Sequence, residues 1–281
     1  MLPDLHSRCW TPSGIIGVSR LQESNKMSNP PPDPSPTSIV AQRVSELEAQ
    51  LGHRLRTSTV PDNELSHNAC LFMPPRILKR LLFLDEIYRA ALTVHGVVLQ
   101  FGVRWGRDLA VFDALRTIYE PFNISRRVIG FDTFDGFPCV HKKDGQDAVI
   151  AAGKFDTAPS YVDELSEILM LRQALDPLPE QKRCEIRKGD ASEQLEAFLK
   201  SCPETIVALA YFDLDIYEPT KRCLELLKPF VTKGTVMAFD ELNLPHSPGE
   251  TLALKEVYGL DKIRLRRSRD YSGQPSYFIV E

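Results

Sequence analysis

Residues 205–242 read TIVALAYFDLDIYEPTKRCLELLKPFVTKGTVMAFDEL, and this stretch decides the fold. Residues 205–215 are the most hydrophobic segment of the chain, and residues 234–242 form a second short apolar run. The intervening EPTKRCLELLKPFV has the pattern of a helix, in which Pro219 is tolerated because it falls in the first turn. Two short apolar runs separated by a helix predict parallel strands joined by a helical crossover.

The same alternation extends in both directions from this unit. Strands are predicted at residues 96–103, 126–134 and 184–190, each followed by a helix, and residues 262–271 and 275–281 form a closing pair of strands. This order predicts an α/β fold with a mostly parallel sheet and helices on both faces. Ligands of such sheets bind at the carboxyl ends of the strands, so the residues at those ends are the candidates for function.

Composition divides the chain into three parts. Residues 1–38 are predicted to be a disordered tail, because the proline-rich run 28–38 favours neither a helix nor a central strand. Residues 39–73 are predicted to form an N-terminal helix and a linker. Residues 74–281 form the main domain, in which the long polar segment 138–180 is predicted to be an insertion or lid.

The N-terminal helix, at residues 39–55, is predicted from apolar residues that recur at spacings of three and four. These residues are Val40, Val44, Leu47, Leu51 and Leu55. The helix either packs onto the main domain or serves in oligomerisation, so a homo-oligomer is one expected state. Met27 directly precedes the proline-rich run, and we hypothesise that it is the true start of the protein.

Composition also excludes several partners. The 281 residues have a formal net charge of -4, so neither nucleic acid nor a membrane surface is an expected partner. No stretch approaches the roughly 20 apolar residues of a membrane span, and the N-terminus lacks a secretory signal pattern. None of the six cysteines has zinc-site spacing, so we expect reduced thiols in a cytoplasmic protein. They are Cys9, Cys70, Cys139, Cys184, Cys202 and Cys223.

Two glycines and two acids follow the first three predicted strands. Gly102 and Gly106 either form a plain turn or let a ligand approach the backbone at the next helix, although the dinucleotide pattern G-x-G-x-x-G is not met. Asp132 either binds both ribose hydroxyls of an adenosine ligand or caps the next turn. Asp190 is an N-cap with Glu193 as its capping-box partner, or it faces the adenine amino group, and these two roles are compatible.

Four carboxylates end the fourth and fifth predicted strands. Side-chain alternation places Asp213 and Asp215 on one side of their strand, with Leu214 opposite. Asp240 and Glu241 end the neighbouring strand. Carboxylates at adjacent strand ends repel each other unless a cation neutralises them, and Mg²⁺ or Mn²⁺ prefers such hard oxygen ligands. The alternative is a set of helix caps and ion pairs with nearby Lys or Arg.

Five motifs occur in order: FGVRWGRD, IGFDTFDGFP, KGDASEQL, AYFDLDIYEPTKRCLELLKPFV and GTVMAFDEL. Together they resemble the macrocin O-methyltransferase (TylF-like) family of S-adenosylmethionine-dependent enzymes, over residues 74–281. The most specific part is D-x-D-x-Y-E-x-T at residues 213–220, followed by the acidic pair Asp240-Glu241. The resemblance implies a Rossmann-like class I methyltransferase sheet with an antiparallel C-terminal strand. It also implies a magnesium-dependent enzyme that methylates a hydroxyl of a deoxysugar, nucleotide-sugar or glycan.

The resemblance assigns roles to matching positions. Asp213, Asp240 and Glu241 would bind Mg²⁺ or Mn²⁺, and Asp215 would be the general base. The S-adenosylmethionine site would be lined by Gln100, Gly102, Gly106, Asp132, Thr133, Asp190 and Ala191. We hypothesise that the acceptor, a vicinal diol, chelates the metal while Asp215 removes the proton.

Two positions depart from the family pattern. Gln100 stands where the family usually has Glu, so an uncharged amide faces the methionine ammonium. Glu241 stands where the family usually has Asp, which places the carboxylate on a longer arm. These changes bear on the affinities for S-adenosylmethionine and for the metal.

Other interpretations of the same residues stay open. The strand-end acids also suit metal-dependent methylation of a catechol-like phenol, and Gln100 suggests a nucleotide-binding module without catalysis. Asp215 could instead cap the helix that begins near Tyr217. His246 either contacts the acceptor or is solvated. The basic run 264–269 is either the solvated face of an edge strand or a phosphate site.

Overall fold

The computed structural model describes residues 36–145, 150–268 and 275–281. The chain falls into two compact units, one ending at Thr59 and the other formed by Val60–Glu281. Each unit consists of one continuous part of the chain.

Helix α1 (Pro36–Arg56) belongs to the first unit and confirms the helix predicted at residues 39–55. It begins before the predicted start, because proline is tolerated in the first turn of a helix. The prediction of disorder was therefore wrong for the last three residues of the tail. The rest of the predicted tail, with Met27, lies outside the described residues.

The second unit has the predicted alternation of strands and helices. Its helices are α2 (Asp62–Asn68), α3 (Pro75–Ala91), α4 (Arg107–Tyr119), α5 (Tyr161–Ala174), α6 (Ala191–Ser201), α7 (Tyr217–Leu227) and α8 (Gly249–Val257). Its strands are β1 (Val97–Phe101), β2 (Val128–Asp132), β3 (Cys184–Lys188), β4 (Val207–Phe212), β5 (Val231–Phe239), β6 (Arg266–Arg267) and β7 (Ser276–Ile279). Helix α2 was not predicted, because its 7 residues are too short to show a helical stripe.

The strands form one sheet in the order β3-β2-β1-β4-β5-β7-β6. Strands β1 to β5 are parallel, and β7 pairs antiparallel with both β5 and β6. This arrangement confirms the predicted mostly parallel sheet with its antiparallel C-terminal strand. The strand order reverses between β1 and β4, and ligands of open α/β sheets bind at such a switch point.

Helices cover both faces of the sheet, as predicted. On one face, α3, α4 and α5 bury residues that include Phe83, Phe112 and Leu165. On the other face, α6, α7 and α8 bury residues that include Leu195, Leu224 and Leu254. Because α5 contributes to this core, it is the crossover helix between β2 and β3. A lid function for the rest of segment 138–180 stays a prediction.

A ladder of stacked phenyl rings lies beneath the ends of four parallel strands. Phe101 stacks on Phe131 and Phe212 with centroid distances of 5.1 and 4.7 Å, and Phe212 stacks on Phe239 at 5.1 Å. All four rings are fully buried. Each ring belongs to the last or next-to-last residue of its strand. The stacked rings thus align the carboxyl ends of the four strands. The residues that follow these strands therefore lie at one edge of the sheet.

Two further predictions concern membrane-spanning helices and the state of the cysteines. Among the described helices, none is both long and apolar enough to cross a membrane. Five described cysteines are free thiols, as expected, and Cys9 lies outside the described residues. The free thiols are Cys70, Cys139, Cys184, Cys202 and Cys223.

Candidate active site

A cavity of about 320 Å³ lies at the carboxyl ends of the parallel strands. It gathers the predicted site residues Gln100, Gly102, Asp132, Thr133, Asp190, Ala191, Asp213, Asp215, Asp240 and Glu241. Gly106 is not among the lining residues. It adopts a left-handed conformation (φ 75°) at the N-cap of α4, where a Cβ would lie 2.4 Å from Leu165 Cδ1. Its place in the fold is therefore a close approach to α5.

Gly102 brings two strand ends into direct contact. Its φ is +86°, and a Cβ at this position would lie 1.9 Å from the carbonyl oxygen of Asp213. The Asp213 N–H in turn donates to the Phe101 carbonyl at 2.8 Å. Only glycine fits this approach. The turn after β1 therefore packs directly on the backbone of the acidic cluster, which consists of Asp213, Asp215, Asp240 and Glu241.

Asp132 orders the turn after β1 from the neighbouring strand. Its Oδ2 accepts hydrogen bonds from the N–H groups of Val103 (2.6 Å) and Arg104 (2.7 Å), and its Oδ1 accepts from Phe134 N–H (2.6 Å). A carboxylate offers about four acceptor positions. The capping role is thus present, and it is compatible with a bond from a ribose hydroxyl.

Gln100 carries a buried oxygen that lacks a partner. The residue is 1% exposed, and its Nε2 donates to the Gly102 carbonyl at 2.7 Å. That bond fixes the orientation of the amide, because a carbonyl oxygen can only accept. Within the described part of the chain, no group donates to Gln100 Oε1. An unpaired buried acceptor costs about 1–3 kcal/mol, so Oε1 marks a position for a ligand donor.

Asp190 is the N-cap of α6, which confirms the predicted cap but not the capping-box bond expected from the Glu193 side chain. Its Oδ1 accepts from the N–H groups of Ser192 (2.9 Å) and Glu193 (3.1 Å) and from the Ser192 hydroxyl (2.6 Å). Asp190 also lines the cavity together with Ala191. Contact with an adenine amino group stays a prediction.

The acidic cluster contains an arginine that the sequence did not point to. Arg80, on α3, donates through Nη1 to Asp240 Oδ1 (2.5 Å), through Nη2 to Asp213 Oδ2 (2.6 Å) and through Nε to Asp108 Oδ2 (2.8 Å). The Arg80 side chain is 11% exposed. The alternative of an ion pair with a nearby arginine is thus realised for one oxygen of Asp213 and one of Asp240.

Arg80 does not balance the charge of the cluster. Burial and the charge of Asp240 hold the pKa of Asp213 well above its usual range. Burial and Asp240 likewise raise the pKa of Glu241. Part of each rise comes from the neighbouring charge of Asp240, and this repulsion between carboxylates favours a further cation. Over the described ranges, no three His, Cys, Asp or Glu side chains converge in a metal-binding arrangement.

Asp215 reaches the cavity by a route that strand alternation did not predict. Strand β4 ends at Phe212, so the prediction of a strand as far as residue 215 was wrong. Asp215 instead has a left-handed backbone conformation with a φ of 63°. Leu214 lines the cavity as well as Asp213 and Asp215, and it also packs against the hydrophobic core.

Asp215 does not cap helix α7. The N-cap position of α7 is Ile216, and the Tyr217 N–H donates to Asp144 Oδ1 at 2.5 Å. Asp144 thus performs the capping that was considered for Asp215. Burial, together with the charges of Glu241 and Asp240, raises the pKa of Asp215 to about 7. Such a value suits a group that takes up a proton near neutral pH.

The remaining candidates lie at the periphery. His246 is exposed, and it is near enough to Glu241 for its charge to oppose the rise of that pKa. In the basic run, Arg266 and Arg267 form β6 at the edge of the sheet. This supports the edge-strand interpretation, while Arg269 lies outside the described residues.

Three polar residues of this region were missed: Arg80, Asp144 and Glu250. Each is far along the chain from the group it binds, so local spacing carries no sign of the contact. A weak signal exists for Arg80, because it sits on a helix whose apolar positions wrap widely and therefore leave little exposed surface.

Comparisons with known proteins identify similar structures. No protein-family model and no curated protein matches this sequence. CalS11, a calicheamicin methyltransferase, is 40% identical, with a TM-score of 0.81 over 88% of this chain and 94% of that chain. Apo CalS11, described as a TDP-rhamnose 3'-O-methyltransferase, is 37% identical, with a TM-score of 0.73 over 88% and 96%. The O-methyltransferase NovP, 20% identical over 72% and 79% with a TM-score of 0.54, shares the fold.

Proposed function

This chain belongs to the macrocin O-methyltransferase (TylF-like) family of S-adenosylmethionine-dependent class I methyltransferases, and on that premise we propose that it methylates a hydroxyl group of a sugar. The description of CalS11 as a TDP-rhamnose methyltransferase supports a nucleotide-linked deoxysugar as the acceptor class. The observation that carries the proposal is one cavity that holds both an unpartnered amide oxygen, Gln100 Oε1, and a carboxyl group of raised pKa, Asp215.

We assign the Gln100 side of the cavity to S-adenosylmethionine. Gln100 Oε1 accepts a hydrogen bond from the methionine ammonium, which supplies the donor that this oxygen lacks. The ribose lies at Asp132, and the adenine lies near Asp190 and Ala191.

Substitution of Gln100 tests this assignment. Gln100→Leu is expected to weaken S-adenosylmethionine binding by about tenfold, because the loss of one hydrogen bond to a charged group costs about 1.5 kcal/mol or more. Isothermal titration measures the affinity. Gln173→Leu is a matched control, since Gln173 Nε2 also donates to a backbone carbonyl, that of Pro179, but away from the cavity. Equal affinities for all three proteins would contradict the assignment.

We further propose that Asp213, Asp240 and Glu241 hold Mg²⁺ or Mn²⁺. Three carboxylates that line one cavity supply the hard oxygen ligands that such an ion prefers, although over the described ranges they do not converge as a metal site. Arg80 engages one oxygen of each aspartate, which leaves the second oxygen of each to a metal. A bound divalent ion lowers the pKa of a coordinated hydroxyl.

Metal removal tests this part of the proposal. Chelation with EDTA is expected to lower turnover by about 100-fold, since a metal supplies several kcal/mol of stabilisation, and added Mg²⁺ restores it. Glu241→Gln is expected to weaken Mn²⁺ binding in titrations without substrate, whereas Glu204→Gln, which changes an exposed carboxylate, is not. Full turnover in EDTA would show that the reaction does not need a divalent ion.

The chemistry of the transfer follows from these assignments. The acceptor oxygen attacks the methyl carbon in line with the carbon–sulfur bond, and alignment of the two groups is a large part of the rate. The carbon–sulfur bond breaks, its electrons stay on sulfur, and S-adenosylhomocysteine is released. The hydroxyl proton passes to the carboxylate of Asp215, which acts as the general base.

An acceptor panel tests the proposed function itself. Release of S-adenosylhomocysteine is measured with nucleotide-linked deoxysugars, free deoxysugars, glycans and catechols. We expect turnover with a sugar acceptor and none with catechols. Turnover confined to catechols would replace the sugar by a phenol as the acceptor, and binding of S-adenosylmethionine without any turnover would indicate a non-catalytic module.

A further inference from the structure

The turn that carries Asp215 has a backbone conformation that needs support. The φ of Asp215 is 63°, in the left-handed region that non-glycine residues rarely adopt. The left-handed conformation costs most L-residues about 1–2 kcal/mol, and aspartate is among the few that adopt it as a single residue. Such conformations persist where surrounding contacts enforce them, and they cluster at functional sites. The contacts around this turn therefore bear on the orientation of the proposed base.

Glu250 makes the central contact with this turn. Its Oε1 accepts from two successive backbone groups, the N–H of Leu214 at 3.0 Å and the N–H of Asp215 at 3.3 Å. Glu250 is 1% exposed and lies in the first turn of α8. One side-chain oxygen thus links the backbone of the base to a helix that packs in the core.

The residues beside Glu250 also contact this turn. A Cβ on Gly249 would lie 2.5 Å from Asp144 Oδ1, 2.8 Å from the Tyr217 nitrogen and 2.9 Å from the Asp215 carbonyl oxygen. The Ser247 hydroxyl is 3.5 Å from the same Asp215 carbonyl oxygen. The start of α8 therefore touches both the N–H and the C=O of Asp215.

We propose that Glu250 is a positioning residue, which holds the backbone of residues 214 and 215 so that the Asp215 carboxylate points at the acceptor hydroxyl. This inference rests on the proposed function, because it assumes that Asp215 is the base. Glu250 itself does not touch the substrate, since it is not among the described residues that line the cavity.

The surroundings of Glu250 agree with a positioning role. Burial, together with the charge of Asp215, holds the pKa of Glu250 well above its usual range. The role needs only an acceptor oxygen at the position of Oε1, where the two N–H groups converge. A glutamine side chain offers an equivalent oxygen in nearly the same volume.

The test compares Glu250→Leu with Glu250→Gln. Glu250→Leu is expected to lower kcat by about 100-fold, the cost of a misplacement of about 1 Å, while the affinity for S-adenosylmethionine changes by less than about threefold. Glu250→Gln is expected to retain most of kcat. Hydrogen exchange of the amides of residues 214 and 215 provides a readout apart from activity, and it should speed up in the leucine variant alone.

A second variant covers the case in which Glu250→Leu does not fold. Gly249→Ala places a methyl group against Asp144 Oδ1, the Tyr217 nitrogen and the Asp215 carbonyl oxygen. It is expected to lower kcat with little change in S-adenosylmethionine affinity. Thr235→Val is the matched control, because it removes a buried hydroxyl that bonds to the Val207 carbonyl at 2.7 Å, at the opposite end of the strands. It should lose stability but keep kcat.

The outcomes separate this inference from the proposed function. A wild-type protein that turns over no acceptor overturns the proposed function. An active wild type whose Glu250→Leu and Gly249→Ala variants keep their kcat overturns the inference while leaving the proposed function in place. Equal losses of kcat in Glu250→Leu and Thr235→Val would also overturn it, because both losses would then follow from stability alone.

Discussion

Asp215→Asn is expected to lower turnover by about 10²- to 10⁴-fold, the range for loss of a general base. S-adenosylmethionine should bind with unchanged affinity, because Gln100, Asp132 and Asp190 are untouched. Asparagine has the shape of aspartate and tolerates a left-handed backbone, so the turn at φ 63° remains. The amide cannot take up the hydroxyl proton, and only the chemical step is impaired.

Single-turnover kinetics and titration together measure this result. Asp163→Asn is the control, since Asp163 is exposed in the first turn of α5 and is not among the residues that line the cavity. Turnover that survives in Asp215→Asn would remove Asp215 as the base. A loss of turnover accompanied by loss of S-adenosylmethionine binding would show a structural effect instead.

Arg80→Met is expected to have the largest effect on stability. The Arg80 guanidinium bonds to Asp108, Asp213 and Asp240, and its side chain is 11% exposed. Removal of one partner of a buried ion pair costs about 3–5 kcal/mol, because the other partner is left as an uncompensated charge. Methionine keeps much of the volume but supplies no charge. The free energy of unfolding at neutral pH should fall by that amount.

Urea denaturation measures this change, and α3 offers a matched control. Arg89, on the same helix, is 64% exposed and pairs with Asp85 at 3.8 Å, so Arg89→Met should cost less than about 1 kcal/mol. A ligand that binds only the folded state stabilises it. Mg²⁺ should therefore raise the melting temperature of Arg80→Met if the three proposed carboxylates bind the ion. A loss below about 1 kcal/mol in Arg80→Met would mean that the cluster does not depend on Arg80.

The fold was predictable because its signals are local. A strand such as β4 and a helix such as α6 each carry their own pattern of apolar residues. The strand ends were harder, since the carboxyl end of β4 lies at Phe212 rather than at residue 215. A turn can continue an apolar-polar alternation without being a strand, so the pattern of the sequence does not mark the end.

The residues at the strand ends could also be identified from the local sequence. Parallel strands carry their carboxyl ends to one edge, which is enough to bring Gln100, Asp132, Asp190 and Asp213 to one cavity. The groups that bond to residues of this region lie far away in the sequence. The Tyr217 N–H meets Asp144 across 73 positions, and Asp213 meets Arg80 across 133.

The sequence was therefore sufficient to predict the order of strands and helices along the chain and the edge of the sheet at which the acidic residues lie. It was also sufficient to show the resemblance to sugar methyltransferases. Only the tertiary structure decided which cation lies between Asp213 and Asp240, which residue caps α7 and what holds the turn at Asp215. The physical reason is that spacing along the chain governs the local pattern of burial, whereas ion pairs and buried hydrogen bonds depend on which distant helices pack together.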